Sequence, residues 1–305
     1  MRKHAGITKR IPSQLYGLPI VIVLGVAVLV TVNNFQQHCT PDMSMYLLHA
    51  RTFVETGQRY LVSHDSKGPV LVWLYALPVF ALGPTVVAAA ALQALLHSAF
   101  ALLLYRSLRV RIDPRAAASV ALLSFVLVSA PALWGSGMRS EDAALPAVVL
   151  MYALLHRRSP AARGAAGAVT ALLCGMKISF APSFFVFGIA GILAAEATVD
   201  STWRWWSRDI RGALIAYGGG ALVTAGLLIG LVAASDSLTE AFRQTVLWPM
   251  HYRSGPGFGP SPLHPVAVLW HSKLGAFVAA SLIVLVFALQ RRNHRALPLL
   301  MFVCM

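Results

Sequence analysis

Long apolar runs, each flanked at one end by arginine or lysine, constrain this chain more than any other feature. Leu15–Val32, Thr85–Tyr105, Ala116–Trp134, Ala143–Leu155 and Ala213–Ala233 are such runs. The basic residues fall between them: Arg2, Lys3, Lys9 and Arg10; Arg106, Arg109, Arg111 and Arg115; Arg157, Arg158 and Arg163; Arg204, Arg208 and Arg211; Arg291, Arg292 and Arg295. Short cytoplasmic loops of membrane proteins collect Lys and Arg in this way. Hydrophobic residues make up 57% of the chain and charged residues 12%, against roughly 25% charged in a soluble domain. The expected fold is an all-α polytopic membrane protein. The net charge of +14 then reflects lipid-facing loops. With no nucleic-acid motif beside it, it does not indicate a nucleic-acid partner.

Leu15–Val32 is too long for a signal-peptide core and lacks a small-residue cleavage site, so it reads as a retained helix. The three cysteines, Cys39, Cys174 and Cys304, form no CxxC spacing and suggest neither a disulfide framework nor zinc.

With the basic clusters inside, the topology follows from parity. The N-terminus is cytoplasmic and the loop from Asn33 to Pro69 is external. Val70–Leu82 covers about 20 Å as a helix, short of the ~30 Å hydrocarbon core. It is predicted to be interfacial or half-inserted, ending at Gly83-Pro84, with Thr85–Tyr105 as the second span. Gly135 to Asp142 is a second external loop. Gly164–Met176 and Ile178–Ala195 form a pair hinged at Lys177. Trp203, Trp205 and Trp206 mark a cytoplasmic interface, and Ala234 to Val268 is a long external loop. Ala276–Gln290 returns, and the chain ends at Met305, only about ten residues into a further apolar run. Since a span needs roughly 20 residues, the expectation is about eight full spans, a partial ninth and a longer native chain. This scheme sorts Asp42, Glu55, Asp65, Glu141, Asp142, Asp236 and Glu240 onto the external side.

A carboxylate at a membrane edge is costly and marks a functional site. The first external loop opens Thr40-Pro41-Asp42, an N-terminal helix signal. Apolar residues then recur at Met43, Tyr46, Leu47, Ala50, Phe53 and Val54, and Gly57 is the stop. This predicts an amphipathic helix of about four turns lying on the external membrane surface. The helix dipole favours an ionised Asp42 in its first turn, where it is either a base or merely a cap. Asp65 and Lys67 precede Pro69; a surface ion pair is the plainer reading. Lys177 interrupts some thirty apolar residues and either snorkels or meets an anion. Arg139, Glu141 and Asp142 crowd one short loop. Arg243, Trp248, His251, Tyr252 and Arg253 combine cations and aromatics that suit a lipid phosphate and a sugar ring. An interfacial aromatic belt accounts equally well for Trp248.

The ordered set Pro41-Asp42-Met43-Ser44-Met45-Tyr46, Gly57 and Tyr60, Asp65-Ser66-Lys67-Gly68-Pro69, Leu82-Gly83, Glu141-Asp142-Ala143-Ala144-Leu145, Gly175-Met176-Lys177 and Trp248, His251, Tyr252, Arg253 resembles the GT-C glycosyltransferases that use polyprenyl-phosphate sugars. The closer types are families 39 and 83, with protein O-mannosyltransferases and aminoarabinose transferases. The resemblance runs from Leu15 to about Tyr252. Met43 departs from the Glu common after the first Asp, and Gly68 separates the Lys from the Pro.

The resemblance implies a GT-C-like helical bundle with its active site on the external or periplasmic face. It implies inverting transfer of a hexosyl or pentosyl sugar to a hydroxyl of a lipid, glycan or protein acceptor. Asp42 would be the general base. Asp65, Glu141 and Asp142 would orient the acceptor or hold a divalent cation. Lys67, Lys177, His251, Tyr252 and Arg253 would bind the lipid phosphate, with Tyr46, Arg139 and Trp248 nearby. The rival readings are a transporter or flippase for an anionic lipid or solute, which the broken helix at Lys177 also suits, and a catalytically inactive relative that binds the lipid carrier.

Overall fold

A computed structural model of the protein describes residues 25, 41–61, 67–110, 112–129, 140–177, 181–197 and 208–248. Among these, 87% are helical and no strand occurs, so the fold class is all-α. The expected spans Leu15–Val32 and Ala276–Gln290, the last apolar run, and most of the second long external loop lie outside the described residues.

Among the described residues nine α-helices follow one another. Helix α1 (Pro41–Thr56) begins at its proline and stops at Gly57, whose φ of 70° is a left-handed cap. Its Met43, Tyr46, Leu47 and Ala50 are buried, as their spacing predicts. Helix α2 (Pro69–Leu82) carries proline at its first turn and ends at Gly83, φ 72°, whose N–H donates to the Val79 carbonyl at 2.8 Å. Helix α3 (Val86–Leu108) is capped by Thr85, whose side chain accepts the Ala88 N–H. Helices α4 (Pro114–Ser129), α5 (Ser140–Leu155), α6 (Pro160–Met176) and α7 (Ala181–Ala197) follow. Helix α8 (Arg208–Ser235) leads into α9 (Leu238–Phe242) and a π-helical turn (Arg243–Leu247).

Several boundaries differ from the sequence reading. Helix α5 begins at Ser140, so Glu141 and Asp142 lie in a helical first turn rather than a loop; the dipole there favours carboxylates. Helix α6 begins at Pro160 because Ser159 caps it, accepting the Ala162 N–H at 3.2 Å, and this draws Arg163 into the helix, where it is buried. The stretch after Ala234 is helical rather than looped as far as Trp248, because Ser237 caps α9 through the Glu240 N–H.

Contacts fix the helix directions. A Cβ on Gly167 would strike the Tyr217 carbonyl, and one on Gly220 would strike the Gly164 carbonyl, so α6 and α8 touch backbone to backbone. Farther along, Gly175 faces Leu228, so the two helices run parallel. Small residues permit such close crossings. Helix α5 meets α6 through the short turn at Arg157–Ser159, and the pair is antiparallel. The Gly68 N–H donates to the Met176 carbonyl at 2.9 Å, seating the start of α2 on the end of α6. His97, mid-α3, pairs with Asp142 at the start of α5. Beyond it Phe100, Leu104 and Leu108 share a cluster with Val149, so α3 follows α5. The start of α2 therefore lies at the Met176 end of α6.

That end holds Lys67, Lys177, Asp142, Asp236 and Glu240. The opposite end holds Arg106, Arg109, Arg157, Arg158, Arg163 and Arg211. Two described helices are long and apolar enough to cross a membrane, Val86–Leu108 and Asp209–Ser235. Pro69–Leu82, Ala116–Val126, Asp142–Leu155 and Phe184–Leu193 are shorter apolar helices.

Candidate functional site

The site is built where α2 begins and α6 ends. Pro69 starts α2 and cannot donate a hydrogen bond, so the preceding Gly68 supplies the N–H that reaches the Met176 carbonyl. Gly68 is buried, and a Cβ there would strike the Gly175 carbonyl. Lys67 precedes Gly68 and Lys177 follows Met176, so this contact brings together the backbones of two lysines far apart in sequence. Lys177 leaves α6 in an extended conformation, φ −154° and ψ 112°. Both lysines are half-buried.

A third cation joins them. Arg59 is 3% exposed. Its Nη2 donates to the Lys67 carbonyl at 2.7 Å and its Nη1 to the Tyr60 hydroxyl at 2.9 Å. Its guanidinium also lies 4.5 Å from the centre of the Tyr60 ring, a cation–π distance. The Tyr60 hydroxyl in turn donates to the Lys67 carbonyl at 3.2 Å.

The segment is held from below by Asp236, at the end of α8. Its carboxylate accepts the backbone N–H groups of Arg59 and Tyr60, both at 2.5 Å, and of Leu61 at 3.1 Å. It also accepts the Ser237 N–H at 2.9 Å. One turn on, Gln244 donates from Nε2 to the Tyr60 carbonyl at 2.8 Å and to Glu240 Oε1 at 2.8 Å. Glu240 also accepts from Arg243 at 2.6 Å, and this bond raises the pKa of the exposed Arg243 guanidinium.

The structure places the sequence-predicted residues unevenly. It brings together the Lys67 and Lys177 elements. Asp42 lies in the first turn of α1 and Glu141 in the first turn of α5, each placed by its backbone. Asp65, Arg139, His251, Tyr252 and Arg253 lie outside the described residues. Tyr46 is 1% exposed and packs on Tyr75, ring centres 5.2 Å apart, so it belongs to the core. Trp248 is half exposed at the end of the π-helical turn.

Asp142 is not a solvated loop charge. It is buried, with Oδ1 3.2 Å from Nε2 of His97, which is also buried and meets Phe125 edge-on. Among the described residues no three His, Cys, Asp or Glu side chains converge as a metal site.

Arg59, His97, Asp236 and Gln244 are not apparent as site residues from the chain alone. The available signals were a His inside an otherwise apolar helix and an Asp directly after a span. Comparison with protein-family models, curated proteins and solved structures gave no match.

Proposed function

We propose that the protein is a multi-pass membrane glycosyltransferase of GT-C type, which moves a sugar from a polyprenyl-phosphate donor to an acceptor hydroxyl. The observation that carries this reading is the Gly68–Met176 contact, which gathers Lys67, Lys177 and Arg59 at one end of the bundle. Basic side chains arranged around one junction are the chemistry that recognises a phosphate. In a water-poor site such contacts with developing charge are strong.

The membrane setting is supported by α8. Ile215 and Leu222, one heptad apart, are 74% and 75% exposed, and Val223, Leu227, Ile229 and Leu231 are exposed as well. A contiguous apolar face of this size is costly in water and neutral in lipid. Arg106, Arg109, Arg157, Arg158 and Arg211 cluster at the end away from Lys177, together with Asp113 and Asp209, and that excess of arginine suits a cytoplasmic side by the positive-inside rule.

The chemistry then proceeds at one carbon. The acceptor oxygen attacks the anomeric carbon as the carbon–oxygen bond to the phosphate breaks. The configuration inverts, the acceptor proton passes to Asp42, and polyprenyl phosphate leaves with the electron pair. Lys67, Lys177 and Arg253 neutralise its charge, and His251 and Tyr252 complete its binding. Asp42 is pre-disposed to remain ionised by the N-terminus of α1. Asp65 and Glu141 orient the acceptor.

Incubating the purified chain with radiolabelled polyprenyl-phosphate sugars tests the proposal. Transfer or hydrolysis that disappears in Asp42→Asn supports it. Binding without turnover assigns the chain to carrier binding, and movement of the lipid between leaflets assigns it to transport.

A further inference from the structure

We propose that Asp236 is a positioning residue for the lipid-phosphate site: its carboxylate sets where Lys67 stands by holding the backbone of Arg59–Leu61. This inference rests on the phosphate-binding reading of Lys67 and Lys177. Three consecutive N–H groups, on Arg59, Tyr60 and Leu61, converge on one carboxylate. Such a concave row of amides is a ready-made anion receptor. Here the anion comes from the chain itself, so the segment is fixed to the end of α8.

The fixing passes onward by direct bonds. The backbone that Asp236 holds carries the Arg59 side chain, whose Nη2 grips the Lys67 carbonyl. The Tyr60 hydroxyl grips the same carbonyl, and Gln244 clamps the Tyr60 carbonyl from the other side. The next bond in the chain is Gly68 N–H to Met176, beside Lys177. Hydrogen bonds linked through the backbone thus run from the end of α8 to the Lys67 carbonyl and on to Met176, the residue before Lys177. Asp236 touches neither lipid nor sugar in this arrangement; it acts through Arg59. Leu61 is 58% exposed, yet its amide is bonded. That combination gives the proposal a readout independent of activity.

The test pairs amide hydrogen exchange with polyprenyl-phosphate binding, on the full chain in lipid nanodiscs. In the parent protein the amides of residues 59–61 exchange slowly, that of Leu61 despite its exposed side chain. In Asp236→Ala they exchange at least about tenfold faster, since hydrogen bonds to a charged acceptor are lost, while the α6–α8 amides keep their protection. Polyprenyl phosphate then binds about tenfold more weakly, and adding Lys67→Met weakens it little further, because the lysine is already misplaced. Asp236→Asn, which keeps an acceptor oxygen, restores part of both signals.

Unchanged exchange at residues 59–61 would overturn the proposal. So would fast exchange there with unchanged lipid affinity, or loss of protection throughout the bundle in both variants, which would make Asp236 a general keystone. If Lys67→Met alone leaves affinity unchanged, the phosphate reading itself fails, and the exchange data still decide whether Asp236 anchors the segment.

Discussion

Gly68→Ala probes the junction on which the functional reading stands. Gly68 lies in extended backbone, φ −74° and ψ 163°, which any residue adopts, so the substitution carries no conformational strain of its own. The added methyl would run into the Gly175 carbonyl, which is backbone and cannot swing aside. The chains must separate, and the 2.9 Å bond from Gly68 to Met176 lengthens or breaks. Loss of one hydrogen bond costs about 1 kcal/mol. Overpacking a tight contact adds roughly 1–3 kcal/mol. The sum is about 2–4 kcal/mol, which should appear in the unfolding free energy measured in mixed micelles. Gly57→Ala is the control. Gly57 needs its positive φ, but a Cβ there meets nothing within 4 Å. It should lose about 1–2 kcal/mol through backbone strain alone, with lipid binding untouched. Gly68→Ala should also weaken polyprenyl-phosphate binding, because it pushes Lys67 away from Lys177. An unfolding free energy within about 0.5 kcal/mol of the parent, with parental lipid affinity, would show that the junction is loose and refute the reasoning.

Four further outcomes are expected. Asp42→Asn keeps the size of the side chain and should lower transfer by about 10²–10⁴-fold at unchanged thermal stability; an active variant would make Asp42 a cap only. Lys177→Met should fold and bind polyprenyl phosphate about tenfold or more weakly, through loss of a charge-assisted contact; parental affinity in a binding titration would assign this lysine to structure. His97→Leu removes a buried hydrogen bond to Asp142 and should cost about 1–3 kcal/mol; chemical denaturation of His97→Leu, Asp142→Leu and the double gives the coupling, and additive losses would show that the pair does not interact. In a cysteine-free background, a cysteine at Ser63 should react with an impermeant thiol reagent in intact cells and one at Ser107 should not; labelling at Ser107 would reverse the orientation.

What could be read from the chain was whatever a single segment encodes. The 3.6-residue spacing of Met43, Tyr46, Leu47 and Ala50 marked the buried face of α1, and Gly57 marked its end. The short apolar run Val70–Leu82 and the longer run Thr85–Tyr105 marked helices α2 and α3. What escaped depends on distant partners. Gly68 stood in the sequence as an extra residue between Lys67 and Pro69; its reason is Gly175, on another helix. Asp142 looked solvated because its partner, His97, lies 45 residues earlier. Asp236 looked like one more loop acid, since nothing near it in sequence reveals that three amides from the first loop will arrive.

That separation has a temporal side. The amide of Arg59 finds its acceptor 177 residues downstream. At about 5–20 residues per second of synthesis, the segment emerges roughly 10–35 s before Asp236 exists. During that interval its amides are bonded to water, and Lys67 has no fixed place. The α6–α8 crossing cannot close until Gly220 has followed Gly164 out of the ribosome. The Arg59–Leu61 segment is therefore made long before its anchor, and a nascent chain arrested before Asp236 should hold that segment unanchored.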